Sequence, residues 1–408
     1  MPSIHDTGRT DLHLIFPPQW SPFQPFLSTP SLKAYLEPKG HRVIQSDWNV
    51  GFYHYFIGRE RLALAQRRLK HYVSVLSDEH AAYRGRAVYA LAQLERYSEL
   101  SRRVSKLKAS RTCLHISEFK ESVDAFNALL NAFSTAEPVI DVGTSSLAHP
   151  GVLSSFKALH HFIDNSNDNP FVDYFEQKLK NVRPPRFFGV SIIGGEQVVA
   201  GLTLCRVLKR TFPDVPIVIG GSVLSRLVEK DKWLRELFGT YFDFVCRYEG
   251  EQPMDAFLSS NDPKRDKTPN LAYIEDGGEL VMSPLCEPLG MDDIPTPDYS
   301  DLAFAEYLSP HLVLPLLTTR GCYWGKCAFC YHGMIYQDRY RMRSAEMVAR
   351  DVLRLHEQYG VRHFAFNDEA LPPRLFKRLP QVIPPNRFFF TALYKFEKIF
   401  TPAVFREM

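Results

Sequence analysis

The 408-residue sequence has no marked excess of charge of either sign and no long apolar run. Lys plus Arg number 49 and Asp plus Glu number 46, which gives a net charge of +3. This near balance argues against a surface dedicated to nucleic acid or to an anionic membrane. The apolar run Leu312–Leu317 is too short to cross a bilayer, and Met1–Arg9 lacks the apolar core of a secretory signal. We therefore expect a soluble, cytoplasmic protein with no nucleic-acid or membrane partner.

Cysteine is sparse, and internal repeats are absent. The seven cysteines form an odd set, which argues against a disulfide framework in a cytosolic chain, and the lack of periodicity argues against a solenoid. Four of them are scattered, and we expect them to act as small apolar side chains: Cys113, Cys205, Cys246 and Cys286. The other three, Cys322, Cys327 and Cys330, are clustered within one short segment. That cluster is the most informative feature of the sequence.

Short apolar runs alternate with helical patterns over residues 1–285. We predict strands at 12–16, 42–46, 187–193, 216–219 and 242–246, and helices at 31–37, 171–179, 197–211 and 223–238. Strands joined by crossover helices predict a doubly wound, Rossmann-like parallel sheet. The helical periodicity from about residue 52 to 185 predicts an insertion in this domain. Its basic residues are expected to form a solvated face, with substrate recognition as the alternative.

Two further regions follow the first domain. The proline-rich segment 286–310 predicts a linker, preceded by a hairpin around Asp276-Gly277-Gly278. Residues 311–408 predict a second domain of about three strand–helix units, with strands at 312–319, 361–367 and 387–393. Its main helix is expected to start at Ser344 and end at Gly360.

The clustered cysteines lie on a loop directly after a predicted strand, in the sequence Arg320-Gly-Cys-Tyr-Trp-Gly-Lys-Cys-Ala-Phe-Cys330. The spacing Cys-x4-Cys-x2-Cys allows three thiolates to converge, because Gly321 and Gly325 let the backbone fold tightly. Thiolates bind iron–sulfur clusters and zinc. A zinc site with His332 as fourth ligand and a set of unliganded cysteines therefore remain alternatives.

This loop resembles that of the radical S-adenosylmethionine superfamily, in which Cys-x3-Cys-x2-Cys is usual and an aromatic residue such as Phe329 precedes the third cysteine. The resemblance implies a 4Fe–4S cluster on Cys322, Cys327 and Cys330, with one open iron for S-adenosylmethionine. The spacing here is one residue longer between the first two cysteines. We expect Phe329 to lie at the cofactor.

Acidic residues follow the strand predicted at 361–367. Asn367-Asp368-Glu369 occupies the place of the superfamily's Gly-Gly-Glu-like segment, so the resemblance implies that Asp368 or Glu369 binds the ammonium group of S-adenosylmethionine. The alternative is that Asp368 caps the following turn. Three residues near the cysteines are weaker candidates for cofactor contact: Arg320, Tyr331 and Arg343.

The first domain resembles the cobalamin-binding domain that precedes many radical S-adenosylmethionine domains. The likeness covers about Leu12 to Phe257 and includes Ile15-Phe16-Pro17-Pro18 and Leu32 to Gly40. It implies cobalamin contacts at the ends of three strands, from Ser191, Gly220, Gly221, Ser222, Glu249, Gly250 and Glu251. The alternatives are that Ser222 caps a helix and that 249–251 is only a turn. The sequence contains no Asp-x-His-x-x-Gly motif, so a bound cobalamin would lack that histidine as lower ligand.

Together the resemblances imply a cobalamin-dependent radical enzyme, similar to peptide-modifying members, that methylates carbon in a peptide or small-molecule substrate. Cyclisation or rearrangement is the other chemistry of this scaffold, and either needs a reducing electron donor. The sequence supplies only about half of the superfamily's barrel. We therefore expect a chain truncated within the barrel or completed by another polypeptide, with poor turnover alone. The competing hypothesis is a non-catalytic corrinoid-binding or zinc-stabilised module with a vestigial second half.

Overall fold

The computed structural model describes residues 9–108, 114–228, 232–330 and 335–406. The strands are β1 Leu12–Phe16, β2 Val43–Asp47, β3 Asp141–Val142, β4 Leu147–Ala148, β5 Phe187–Ser191, β6 Ile217–Gly220, β7 Phe244–Cys246, β8 Leu271–Ile274, β9 Leu280–Met282, β10 Val313–Leu316, β11 Thr319–Arg320, β12 Arg341–Met342, β13 His363–Phe366 and β14 Phe389–Ala392.

The helices are α1 Ser28–Leu36, α2 Trp48–Phe56, α3 Arg59–Val75, α4 Ala81–Glu95, α5 Tyr97–Ser105, α6 Ile116–Thr135, α7 Phe156–Asp164, α8 Pro170–Leu179, α9 Val198–Thr211, α10 Ser222–Leu227, α11 Glu251–Ser259, α12 Ala345–Tyr359, α13 Pro373–Val382 and α14 Pro402–Arg406. Among the described residues, none of these helices combines the length and the apolarity needed to cross a bilayer.

The first half of the chain forms a seven-stranded sheet in the order β2-β1-β5-β6-β7-β8-β9. The first five strands in this order, β2, β1, β5, β6 and β7, are parallel. The predicted hairpin β8–β9 extends the sheet in antiparallel fashion. Every residue of β1 and β5 is buried, as expected for parallel strands covered on both faces. The predicted doubly wound α/β fold is thus present.

Side chains of these strands alternate between two cores. Ile15 faces a large core with α9 and with the helices inserted between β2 and β5. Leu12 and Leu14 face a smaller core with α1 and α11. The predicted helical periodicity between β2 and β5 is confirmed by α2 to α8. The parallel sheet therefore lies between two helical layers, and its strand ends stay open at one edge.

The helix predicted at 223–238 is wrong in length. α10 ends at Leu227, and a 3₁₀ turn, Lys232–Leu237, comes after residues 229–231, which lie outside the described part. Val228 and Leu237 are both buried in the large core. At about 100° per residue, one straight helix would place them on opposite sides, so the break lets both face the sheet.

The second half contains a parallel three-stranded sheet in the order β10-β13-β14. α12 begins as predicted, because Ser344 Oγ accepts a hydrogen bond from the Met347 amide at 3.3 Å. It ends at Gly360, whose φ of +68° suits glycine. Strands β11 and β12 form a short antiparallel pair that encloses the cysteine loop, residues 321–330.

Candidate cofactor-binding site

A cavity of about 990 Å³ lies between the two parallel sheets. The strands of both sheets end at it: Ser191 of β5, Gly220 of β6 and Cys246 of β7 from one side, and Phe366 of β13 and Ala392 of β14 from the other. Ligands of α/β folds bind beyond the carboxyl ends of parallel strands. The cavity is therefore the strongest candidate site in the described residues.

Glycine lets the backbone close around one wall of this cavity. Gly221 has a φ of +124°, and a Cβ there would lie 2.0 Å from the Ile192 carbonyl oxygen. Gly220 and Gly221 both line the cavity, as do Gly194 and Gly195 on the neighbouring loop. The predicted close approach of backbone to ligand at Gly220-Gly221 is thus geometrically available.

The two predicted serines line the cavity, but their hydroxyls also hold the wall together. Ser191 Oγ donates to Ser28 Oγ at 2.8 Å, and Ser222 Oγ donates to the Ile193 carbonyl oxygen at 2.7 Å. The alternative that Ser222 caps a helix is wrong, because Gly221 is the capping residue and Ser222 is the first residue of α10.

Glu249, Gly250 and Glu251 also line the cavity, at the start of α11. Both carboxylates pair with arginines of the second half: Arg320 contacts both, and Arg341 contacts Glu249. Burial by itself would raise the pKa of Glu251, but the Arg320 guanidinium, a backbone hydrogen bond and Arg341 together outweigh burial and lower that pKa. Both glutamates are therefore engaged in ion pairs inside the protein.

Asp368 follows β13 and organises the turn that leads into the cysteine loop. Its carboxylate accepts hydrogen bonds from the amides of Thr318 and Thr319 at 2.7 and 2.8 Å, and from the Thr318 hydroxyl. Burial raises its pKa to about 6, although these bonds act in the opposite direction. Asp368 therefore caps the turn before the cysteines, while Glu369 lines the cavity in a half-buried position.

The cysteine loop lies directly after β11. Gly321 has a φ of +82° and Gly325 one of +59°, and the Cys330 amide donates to the Cys327 carbonyl oxygen at 3.0 Å. Cys322 is half-buried, whereas Cys327 and Cys330 are exposed.

Phe329, predicted to lie at the cofactor, is 91% exposed. Within the described ranges, no three His, Cys, Asp or Glu side chains are gathered closely enough to hold a metal ion.

Three other candidates have different outcomes. Arg320 lines the cavity. Arg343 pairs with Asp351 at 2.8 Å and donates to the Met291 carbonyl oxygen, so it braces α12 and the linker. Tyr331 and the alternative zinc ligand His332 lie outside the described residues.

Most of the aromatic side chains that line the cavity were not predicted from the sequence. Trp20 and Phe26, on the loop after β1, contact each other edge to face with ring centroids 5.4 Å apart. Tyr248 and Tyr336 line the cavity from two other segments. Only the loop after β1 carried a usable signal, since loops at strand carboxyl ends bear ligand contacts in this type of sheet.

In sequence, this chain is similar to parts of two archaeal proteins. No protein-family model matches the sequence. An uncharacterized methyltransferase of Pyrococcus horikoshii is 27% identical over 171 residues, which is 41% of this chain and 36% of that protein. An uncharacterized protein of Archaeoglobus fulgidus is 43% identical over 58 residues, which is 14% of this chain and 10% of that protein.

Among solved structures, the chain is similar to the cobalamin-dependent S-adenosylmethionine radical enzyme OxsB. The structure of OxsB with aqua-cobalamin matches 98% of this chain and 41% of OxsB, with a TM-score of 0.51 and 14% identity. The structure with aqua-cobalamin and S-adenosylmethionine matches 94% and 38%, with a TM-score of 0.50 and 13% identity. The predicted fold class is thus confirmed. The chain spans about two fifths of OxsB and about a third of the archaeal methyltransferase.

The residues present are chemically suited to an iron–sulfur cluster and to a large flat cofactor such as the aqua-cobalamin of OxsB. Three thiols on one loop, with glycines at positive φ beside them, form a donor set of the kind that iron–sulfur clusters use, although the loop must draw Cys327 and Cys330 inward to bind one. Glycines and aromatic side chains line the cavity, and its volume of about 990 Å³ is sufficient for a large flat cofactor.

Proposed function

We propose that this chain takes part in cobalamin-dependent radical S-adenosylmethionine chemistry, as a methyltransferase acting on a peptide or small-molecule substrate. The observation that carries the proposal is that strands of both sheets open onto one shared cavity. The cysteine loop begins directly after Arg320, which is part of that cavity wall. Such a geometry would let two cofactors meet over one substrate.

In enzymes of this class, a reduced 4Fe–4S cluster cleaves S-adenosylmethionine to generate a radical, and cobalamin carries the methyl group. We assign Cys322, Cys327 and Cys330 to the cluster. Asp368 holds the turn before these cysteines by accepting from the Thr318 and Thr319 amides. Glu369 is the carboxylate that we assign to the ammonium group of S-adenosylmethionine, because it lines the cavity directly after β13.

On the opposite wall, the chain's backbone and aromatic rings would bind and enclose the corrinoid. Gly220 and Gly221 allow close approach of the backbone, and Trp20 and Phe26 supply flat apolar surface that excludes water. The cluster would need a low-potential electron donor to be reduced. A further polypeptide segment would continue the second sheet beyond β14, and the protein would act in the cytoplasm.

The test is anaerobic reconstitution of the purified chain with iron and sulfide, followed by iron analysis and electron paramagnetic resonance after dithionite reduction. We expect about four irons per chain and a signal that shifts on addition of S-adenosylmethionine. A Cys322→Ala/Cys327→Ala/Cys330→Ala variant should lose the iron. Cys205→Ala, which removes a buried thiol of α9, is the matched control and should retain it. Equal iron in both variants would contradict the cluster assignment.

A second candidate function is a non-catalytic corrinoid-binding module. The observation that favours it is the exposure of Cys327 and Cys330, which are not gathered with Cys322 in a metal-binding arrangement. Titration with hydroxocobalamin and with S-adenosylmethionine separates the two functions. Binding of the corrinoid alone, without iron, favours the module. One zinc per chain and no iron favours a zinc-stabilised adaptor instead.

A further inference from the structure

The two halves of the chain are joined by a cluster of four charged side chains, two of them buried and two partly buried, which we name the Arg–Glu cluster: Arg320, Arg341, Glu249 and Glu251. Arg320 Nη1 donates to Glu249 Oε2 at 2.5 Å and to Glu251 Oε2 at 3.3 Å, while its Nη2 donates to Glu251 Oε1. Arg341 Nη2 donates to Glu249 Oε1. Every oxygen of both carboxylates therefore already accepts from a guanidinium.

The backbone places these four groups in register. Arg320 on β11 is paired directly with Arg341 on β12, so the two cations lie side by side at the base of the cysteine loop. Glu249 and Glu251 lie at the start of α11, after β7 of the first sheet. Two like charges on adjacent strands are unfavourable alone, and the opposing glutamates supply the compensating charge.

Burial makes this compensation strong. Arg320 is 7% exposed and Glu251 is 2% exposed. Removing one partner from such a cluster leaves a buried charge uncompensated, which costs far more than an exposed ion pair is worth.

We propose that the Arg–Glu cluster is a positioning device, which fixes the base of the cysteine loop against the side of the cavity that carries Gly220 and Gly221. Glu249 and Glu251 act through Arg320 and Arg341 rather than as cofactor ligands. The inference deepens the proposed function, on which its catalytic meaning rests. Because the cluster links them, β11, β12 and the start of α11 move as one unit. Arg320 and Arg341 are thus positioning residues for the separation of the two cofactor sites.

Peptide-resolved hydrogen exchange on the chain without added cofactors tests this directly. Two amides report on the first half: Tyr248, which donates to Ser225 Oγ at 2.7 Å, and Met254, which donates to the Gly250 carbonyl oxygen at 2.9 Å. Two report on the second: Thr319, which donates to Asp368 at 2.8 Å, and Arg343, which donates to the Thr318 carbonyl oxygen at 2.7 Å.

Arg320→Met keeps an unbranched but shorter side chain and removes the guanidinium charge. We expect it to speed exchange at Tyr248 and Met254 at least tenfold, although the substitution lies in the other half of the chain. Glu251→Gln should reciprocally speed exchange at Thr319 and Arg343. The double variant should exchange no faster than the more affected single variant, because both substitutions break the same unit.

Arg320→Lys retains the charge but lacks the planar fork that donates from two nitrogens, and it serves if Arg320→Met does not fold. We expect it to change exchange in the same places by a smaller factor. Changes confined to the substituted half, or additive effects in the double variant, would overturn the proposal.

Titration with hydroxocobalamin distinguishes positioning from direct contact. We expect Arg320→Met to weaken binding about tenfold. Lys33→Met is the matched control, because Lys33 is a buried cation paired with Asp301 at 2.7 Å that does not line the cavity. It should leave the affinity within twofold. Weakened binding by Arg320→Met with unchanged exchange would instead identify a direct ligand contact and refute positioning. Because the exchange experiment uses no cluster, failure of iron reconstitution would leave its result intact.

Discussion

At the scale of single residues, Asp368 is subject to two opposing effects on its pKa, since burial favours the protonated carboxyl and hydrogen bonds favour the carboxylate. It is 3% exposed, yet its carboxylate is held by two backbone amides at the turn before the cysteines. Burial raises its pKa from 3.8 to about 6. The folded protein therefore binds a proton at Asp368 more tightly than the unfolded chain does.

The consequence is a testable dependence of stability on pH. The contribution of Asp368 is fully present below about pH 4 and is lost as pH rises through about 6, amounting to about 3 kcal/mol. Asp368→Asn keeps an acceptor for the two amides and has no such titration. We expect the free energy of unfolding of Asp368→Asn, relative to wild type, to increase from pH 4 to pH 7. Urea denaturation at both pH values measures it, and parallel profiles would contradict the raised pKa.

Gly221 permits a second residue-scale prediction. Its φ of +124° is unfavourable for other residues, and an added Cβ would collide with the Ile192 carbonyl oxygen. We expect Gly221→Ala to destabilise the protein by about 3 kcal/mol and to disturb corrinoid binding. Gly195→Ala is the matched control, because Gly195 lines the same cavity and a Cβ there meets open space. Similar unfolding midpoints for the two variants would show that the wall can adapt.

At the scale of elements, α12 illustrates how a cap positions a helix beside the second sheet. Ser344 Oγ accepts from the Met347 amide at 3.3 Å. We expect Ser344→Ala to cost about 1 kcal/mol in unfolding free energy, because it leaves an amide of the first turn without a side-chain partner. Ser344→Asp retains an acceptor and should cost much less. Thermal unfolding of both variants measures the difference, and equal losses would mean that the cap contributes through packing instead.

Most helices and strands could be predicted from the sequence, because their bounds are set by neighbouring residues such as capping residues and short apolar runs. β1 matches its predicted bounds, and α12 begins after the predicted Ser344 and ends before Gly360. The break after α10 escaped prediction because it depends on which side of the chain faces the core, a property of the assembled sheet. Helical periodicity in the sequence alone could not reveal it.

The candidate site was only partly predictable for the same reason. The strand ends that carry Ser191 and Gly220-Gly221 follow from the alternation of strands and helices, and they line the cavity. The pairing of Glu251 with Arg320 joins residues 69 positions apart, so no local pattern signals it. Through such long-range contacts Arg320 engages both Glu249 and Glu251, the two glutamates that the sequence presents as cofactor candidates.

At the scale of the whole molecule, apolar side chains form separate cores for the two halves. The core of the second half contains β10, β13 and α12, and it takes Leu27 from the first half. The large core of the first half contains β5, β6 and α9 together with the inserted helices. The halves also meet at the Arg–Glu cluster and through residues 286–310, while most of each core lies within one half, so the two cores should respond separately to substitution.

Leu314→Ala and Leu208→Ala test this separation, because both leucines are fully buried, one in each core. Each substitution should cost about 2–5 kcal/mol, from lost apolar transfer and from the cavity that it leaves. We expect Leu314→Ala to lower protection from hydrogen exchange in β10, β13 and α12 while β5 and β6 keep theirs, and Leu208→Ala to do the reverse. If either variant lowers protection equally in both halves, the chain unfolds as one cooperative unit. The Arg–Glu cluster would then couple the halves as strongly as a common core does.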